Sequence, residues 1–340
     1  MMVLEKPTAV PPPSSVPLVR IAGLKMHFPV KGGVFLRTQA VCKAVDGISF
    51  DLGAGETVGL VGESGCGKTT LGKCVVRLLQ PTAGHIEFKG EEITGLRGKG
   101  LRHFRRHVQM VFQDPAESLN PRHTVRTILE EPFLIHRIGD RRSLGKSIDR
   151  LLDSVGLPAN AADKFPFEFS GGQRQRIGIA RAIALEPQVV VCDEPVSALD
   201  VSVRSQILNL LLDLQAEHGL SYLFIAHDLA AVKQVSDRVA VMYLGRIMEL
   251  APSEELYRTP RHAYTKALIG AIPSPDPAKR GPRHLLSGDV PSPIDPPAGC
   301  AFGHRMKHPR WEESTRMDLS LREVSPGHWV QPCPCCTDLF

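Results

Sequence analysis

A short apolar segment, Thr57–Val61, runs straight into Gly62-Glu63-Ser64-Gly65-Cys66-Gly67-Lys68-Thr69-Thr70 and then into a helical pattern from Leu71 to Leu79. This is G-x-x-x-x-G-K-[ST] between a strand and a helix, a setting that few other folds can supply. Glycines at 62, 65 and 67 let backbone N–H groups close round a polyphosphate without Cβ clashes. The helix that follows adds the positive end of its dipole. Lys68 is placed to reach the β- and γ-phosphates of a nucleoside triphosphate, and the Thr69 hydroxyl to ligate Mg2+. Cys66 sits among glycines that serve backbone shape, so the reading for it is structural and not that of a catalytic thiol.

Two further runs, Val189–Cys192 and Tyr222–Ala226, have the length and flanks of buried strands, and their alternation with helical patterns predicts an α/β fold. The first ends in Asp193-Glu194. An aspartate at the end of a strand beside the phosphate loop suits a Mg2+ contact, direct or through water. Glu194 would hold the attacking water and accept its proton, a role worth about 10²–10⁴ in rate. Val203, Ile207, Leu210, Leu211 and Leu214 recur at helical spacing and predict a helix over Val201–Glu217. Between Asp114 and Lys164 helical patterns such as Ile148, Leu151, Leu152 and Val155 replace strands, which predicts a helical insert over about 114–165. Residues 1–17, with Pro11-Pro12-Pro13, read as a disordered leader. Residues 18–270 read as the nucleotide-binding domain. From 271 to 340 prolines thicken, marking a separate and mostly irregular C-terminal region.

No apolar run reaches the roughly 18 residues that span a bilayer, and the N-terminus lacks a secretory pattern. Any membrane role is therefore expected to come through a partner. A net charge of +5, from 41 basic and 36 acidic residues, is too mild to imply nucleic acid as a partner. The basic stretch Arg102–His107 reads as a solvated face. Cys42, Cys66, Cys74 and Cys192 read as reduced intracellular thiols.

Ser170-Gly171-Gly172-Gln173-Arg174-Gln175-Arg176, followed by Ala180-Arg181-Ala182, resembles the signature motif of ABC ATPases, with Phe169 in place of the commoner leucine. Ser197-Ala198-Leu199-Asp200 resembles their D-loop, Gln113 in Phe112-Gln113-Asp114-Pro115 their Q-loop, and His227 their switch histidine. The resemblance covers roughly 18–250. It implies a P-loop core with a RecA-like mixed sheet, an antiparallel β part and a helical subdomain, with ATP and Mg2+ as ligands. It implies Glu194, His227, Gln113 and Lys68 as the catalytic set, and Thr69, Gln113 and Asp193 at the Mg2+. Residues Gly62 to Thr70 would hold the phosphates.

Ser170, Gly171, Gly172 and Gln173 open a second helix whose N-terminus can take an anion, in a chain that already has one such site. The resemblance explains the surplus: two subunits pack head to tail, and each signature closes on the other's ATP. Gln113 would report nucleotide state to the helical insert, which docks on membrane subunits. For the adenine ring, Phe28, Phe35 and Phe50 all lie in the early strands and none is singled out.

Leu244–Glu249, Leu256–Leu268, and Gly299-Cys300-Ala301-Phe302 with Pro326-Gly327-His328 resemble the C-terminal extension of oligopeptide and dipeptide importer ATPases. The insertion around Val30–Arg37 and Ala44-Val45-Asp46-Gly47 fits the same branch. That resemblance implies an ATPase at the cytoplasmic face of the plasma membrane, working with two integral membrane permease subunits. A second ABC ATPase, a sister subunit in preference to an identical copy, would complete the pair, and an extracytoplasmic solute-binding protein would act indirectly. Relatives also serve nickel, so the solute stays open. A non-transport ABC ATPase in DNA repair or translation is the rival, disfavoured by the single cassette and the absence of a heptad run. Many members of the branch place four cysteines in this tail, some holding an iron–sulfur cluster on four thiolates. This chain keeps Cys300, but Met306 stands at a second position and none lies near Glu313. Cys333, Cys335 and Cys336 crowd the end, at what reads as a frayed terminus with one distant partner, so free thiols are expected in preference to a rearranged metal site.

Overall fold

The computed structural model describes residues 16–32, 37–139, 141–272 and 288–337. Phe35 and all of the expected leader except Val16 and Pro17 lie outside the described residues, as do Pro273, Pro275, Pro277 and Pro282. The strands in chain order are Val19–Gly32 (β1), Arg37–Leu52 (β2), Thr57–Val61 (β3), Ala83–Phe88 (β4), Glu91–Glu92 (β5), Val108–Val111 (β6), Val189–Asp193 (β7), Ser221–Ile225 (β8), Arg238–Tyr243 (β9), Arg246–Pro252 (β10), Arg322–Ser325 (β11) and His328–Val330 (β12).

They build two sheets. The larger runs β11-β12-β10-β9-β3-β8-β7-β6, and the smaller runs β2-β1-β4-β5. From β9 to β6 the pairing is parallel. From β9 through β10 and β12 to β11 it is antiparallel, as it is throughout the smaller sheet. Parallel strands buried on both faces read as unbroken apolar runs, which is why β3, β7 and β8 were legible. Their residues alternate between two cores. Tyr222, Phe224, Val190 and Cys192 face the helical side, and Leu223, Ile225, Val189 and Val191 face the smaller sheet.

From Pro115 to Glu168 the described chain holds helices and helical turns and no strand, chiefly Val125–His136 and Arg141–Ser154. Ile148, Leu152 and Val155 bury there against Ile128, Leu129, Ile177 and Ala180. The helix Val201–His218 ends on Gly219 in the left-handed conformation at φ 63°, a common C-terminal stop. The phosphate-loop helix is shorter than its pattern, Lys68–Val75, because Arg77 turns left-handed at φ 58°. Arg102–His107 lies on the helix Gly98–His107, with Phe104 alone of that stretch buried. The remaining side chains of the stretch are at least partly solvated.

Among its described residues the C-terminal region lies mostly outside regular elements, but it is not separate. β11 and β12 extend the larger sheet beyond β10, and Cys300, Phe302, Cys333 and Cys336 belong to the main core. The buried Glu249 carboxylate fastens it, accepting from the backbone N–H groups of Arg261 at 2.7 Å and His262 at 2.9 Å and pairing with His328 Nε2 at 2.7 Å. The other ring nitrogen of His328 lies 2.9 Å from Glu255 Oε1.

Candidate functional site

The phosphate loop bends where only glycine fits. Gly67 has φ +105°, and a Cβ there would stand 1.9 Å from the Ala44 carbonyl oxygen. Gly67→Ala is therefore expected to weaken ATP binding by at least about tenfold, since left-handed strain alone costs ~1–2 kcal/mol. Titration with a fluorescent nucleotide measures it, and unchanged affinity would contradict this account of the loop. The β9–β10 turn braces the loop from outside. Leu244 and Gly245 both have positive φ, a two-residue hairpin turn, and the Gly245 N–H donates to the Cys66 carbonyl at 3.0 Å.

Lys68 is buried, its Nζ donating to the carbonyl oxygens of Gly62 at 2.8 Å and Glu63 at 3.1 Å. Burial pushes the Cys66 thiol up even with Lys68 beside it, so the thiol stays neutral and the structural reading of Cys66 fits. Ser64 and Gly65 are exposed and Thr70 is half-buried. The Thr69 hydroxyl donates to Asp193 Oδ1 at 2.9 Å, which joins the loop to the end of β7. Burial raises the Asp193 carboxyl while the Thr69 hydrogen bond works against that shift. An adjacent hydroxyl and carboxylate are hard oxygen donors of the kind Mg2+ takes, so these two residues fit that ion.

Next to them, three residues far apart in sequence meet at one oxygen. Gln113 Nε2 donates to Glu194 Oε2 at 3.2 Å, and His227 Nδ1 lies 3.2 Å from the same atom. The Glu194 backbone is left-handed, φ 46°, a conformation a glutamate adopts only when its surroundings impose it. Its N–H donates to the Ile225 carbonyl at 2.9 Å, and its own carbonyl accepts from the Ser197 hydroxyl at 3.1 Å. Strands β7 and β8 and the Ser197 turn thus hold it with its carboxylate towards Gln113 and His227. The arrangement can hold a water against a phosphate bound in the loop.

Ser170–Gln173 stand apart from this cluster. Ser170 Oγ accepts from the Gln173 N–H at 3.3 Å and Gln173 Oε1 from the Ser170 N–H at 3.0 Å, a capping box. Among the described residues the amides of Gly171 and Gly172 have no hydrogen-bond partner, and Ser170 is exposed. Gly172 is hemmed in by Val203, whose Cγ1 would lie 2.4 Å from an added Cβ. Of the early aromatics, Phe50 is buried in the core, whereas Phe28 on β1 is only partly buried. The site also includes two residues that the sequence does not single out: the Glu63 N–H donates to the Tyr264 hydroxyl at 3.0 Å, and Arg305 pairs with the Glu63 carboxylate. They lie 201 and 242 residues from Glu63, where no spacing rule reaches. A cleft of ≈ 1350 Å³ runs from Thr69, Asp193, Phe112 and Gln113 to Pro132 and Ile135 of the helical region.

The tail cysteines correct the expectation of a frayed end. Pairing of β12 with β10 carries the last turn back into the core, where Cys333 and Cys336 are buried and Cys300 Sγ lies 3.5 Å from Cys336 Sγ. His262 comes close to the same sulfurs. Its Nδ1 accepts the Tyr264 N–H at 3.1 Å, burial pushes its pKa down to about 4 so that the ring is neutral, and its buried Nε2 has no hydrogen-bond partner among the described residues.

Among the described residues no helix is long and apolar enough to cross a membrane. Residues 45–197 match the family model described as ABC transporter, and residues 248–309 that described as oligopeptide/dipeptide transporter, C-terminal region. A putative peptide import ATP-binding protein of Brucella ovis is 50% identical over 317 residues, 93% of this chain and 97% of that protein. The oligopeptide transport ATP-binding protein AppF of Bacillus subtilis is 48% identical over 92% of this chain and 96% of its own length. Among solved structures, cbiO1 of Clostridium perfringens, part of the cbiONQ ABC transporter complex, superposes with a TM-score of 0.62 at 27% identity, covering 72% of this chain and 92% of that one. The ATP-binding cassette MJ0796, as a dimer with ADP and Pi, gives 0.62 at 26% identity over 69% and 98%. Identity at this level across nearly the whole length, in a fold that gathers the loop, the acidic pair and the histidine at one place, means that the chain belongs to the ATP-binding proteins of ABC transporters.

Proposed function

We propose that the chain binds and hydrolyses MgATP at a site completed by a second cassette, and that this cycle energises uptake of peptides through two partner membrane permeases. The observation that carries the hydrolytic part is the shared Glu194 oxygen, with Gln113 and His227 on either side. The loop amides and Lys68 hold the β- and γ-phosphates in this reading. Mg2+, held by Thr69, Asp193 and Gln113, would neutralise charge on those phosphates. Glu194 takes the proton of the attacking water as its oxygen bonds to the γ-phosphorus and the bond to ADP breaks. His227 steadies the γ-phosphate. The amides of Gly171 and Gly172, at the N-terminus of a helix other than the one that follows the phosphate loop, suit an anion on another subunit, as the head-to-tail pair requires. ATP then closes the dimer and hydrolysis reopens it, a two-state element biased by ligand.

Peptides as solute rest on the names of the relatives and on the C-terminal family match, and a sister ATPase and the cytoplasmic membrane face follow from the same resemblance. The cleft beside the helical region, with the exposed Ile135 in its lining, suits a permease segment. The test is to trap the Glu194→Gln variant with ATP and identify what copurifies from solubilised membranes. Two integral membrane subunits and a second ABC ATPase are expected, with hydrolysis stimulated by peptides and not by nickel. Recovery of ribosomes or DNA, or of nothing from the membrane, would overturn the transport reading and leave the ATPase one.

A further inference from the structure

Every polar group of Glu63, the second residue of the phosphate loop, is engaged. Its N–H donates to the Tyr264 hydroxyl at 3.0 Å, its carbonyl accepts from Lys68 Nζ at 3.1 Å and from the Cys66 N–H at 3.3 Å, and its carboxylate meets Arg305 Nη1 at 2.8 Å. Arg305 lies 242 residues away, and its side chain is only 6% exposed. It is held on its own side as well. Its Nε donates to the Gly288 carbonyl at 3.0 Å. It ends the short helix Ala301–Arg305, which Cys300 Sγ caps by accepting the Gly303 N–H at 3.2 Å. Phe302 of that helix packs edge-on to Tyr243 and tilted against Tyr264, at ring separations of 5.7 and 5.3 Å. Tyr264 in turn holds the Glu63 amide, so both contacts on Glu63 come from one packed unit.

We propose that Arg305 is a positioning residue for ATP binding: through its part-buried ion pair with Glu63, the C-terminal region sets the shape of the phosphate loop. The chemistry favours this over a mere tail staple. The carbonyls of Gly62 and Glu63 are the acceptors that steer Lys68, the cation expected at the phosphates, so a shift of Glu63 moves Lys68 with it. An Arg–carboxylate pair with fixed geometry transmits position better than a solvated one. The coupling also explains why a region outside the cassette sits against the phosphate loop at all. The inference rests on the ATPase reading above.

The test is a double-mutant cycle on the full chain, reading the Kd for MgATP with a fluorescent nucleotide, alongside the melting temperature. Arg305→Gln and Glu63→Ala are each expected to raise Kd by about fivefold or more, the lower end of coupling between linked sites. The double variant should be no weaker than the worse single, and Arg305→Lys should recover part of the loss. If Arg305 only fastens the tail, Arg305→Gln lowers the melting temperature and leaves Kd within about twofold of wild type, which overturns the proposal. Single effects that multiply in the double variant would overturn it too, because the two residues would then act separately. Should Arg305→Gln fail to fold, Glu63→Ala and Arg305→Lys still decide the matter by their Kd. A wild-type chain that does not bind MgATP would instead refute the reading on which this rests.

Discussion

Replacing Glu194 with Gln should cut ATP turnover by about 10²–10⁴-fold, the usual worth of a positioned proton acceptor, while ATP affinity changes little. The amide is nearly isosteric, and its carbonyl oxygen can still accept from Gln113, so the local geometry survives. What it cannot do is take a proton from water at neutral pH. The affinity should hold because the proposed function assigns the phosphate contacts to the loop and to Lys68, whose partners are Gly62 and Glu63 and not Glu194. Phosphate release under saturating ATP, measured beside a nucleotide titration, separates the two quantities. A fall smaller than about tenfold would remove Glu194 as general base and shift attention to His227. His227→Ala should cost less than loss of the base itself, because that side chain is half-exposed and meets Glu194 only at its Oε2.

The second large effect concerns stability. Glu249→Ala is expected to destabilise the fold by about 3–5 kcal/mol, the usual cost of removing one member of a buried charged pair. The variant would leave the Arg261 and His262 amides and the His328 ring without their acceptor. For a chain of this size that corresponds to a drop in melting temperature on the order of 10 °C. Limited proteolysis should show residues 322–337 released first, since β12 pairs with β10 at Glu249 itself. Glu249→Gln should cost less, because one acceptor oxygen remains. A melting temperature unchanged in the Ala variant would mean that β12 is held by sheet pairing alone.

The same pair gives a pH dependence of definite sign. Burial works against the charge on His328, but Glu249 and Glu255 outweigh it and raise its pKa. That contribution is complete below the ordinary imidazole pKa and is lost as pH rises through the raised value. For Glu249 burial pushes up, but His328, Thr265 and the two backbone N–H groups bring the pKa below the carboxylate norm. Its contribution is present above that norm and lost as pH falls through the depressed value. Wild-type stability should therefore decline on the alkaline side of the imidazole range, and His328→Gln should flatten that decline.

What could be read from the residues alone is whatever a short stretch of chain encodes by itself. The phosphate loop is such a case, because the left-handed backbone at Gly67 is a local demand that glycine meets and Lys68 follows it directly, although the close approach of the Ala44 carbonyl to Gly67 is tertiary. The strands β3, β7 and β8 are another, because burial on both faces leaves an unbroken apolar run. The Asp193-Glu194 pair, the helix start at Ser170 and the ordered motifs of the family were all legible on the same ground, and with them the cassette.

Only the tertiary structure decided which distant residues meet. Gln113, Glu194 and His227 share one oxygen because parallel pairing of β6, β7 and β8 brings the ends of three strands side by side. The cysteine tail looked frayed because Cys-Pro-Cys-Cys has no local reason to be ordered. Its order comes from β12 joining β10 and from His328 reaching a carboxylate 79 residues earlier. Arg305 reaches the phosphate loop for the same kind of reason. Local pattern is written in nearest neighbours, whereas such contacts repay the entropy of closing a long loop only when the whole core is assembled.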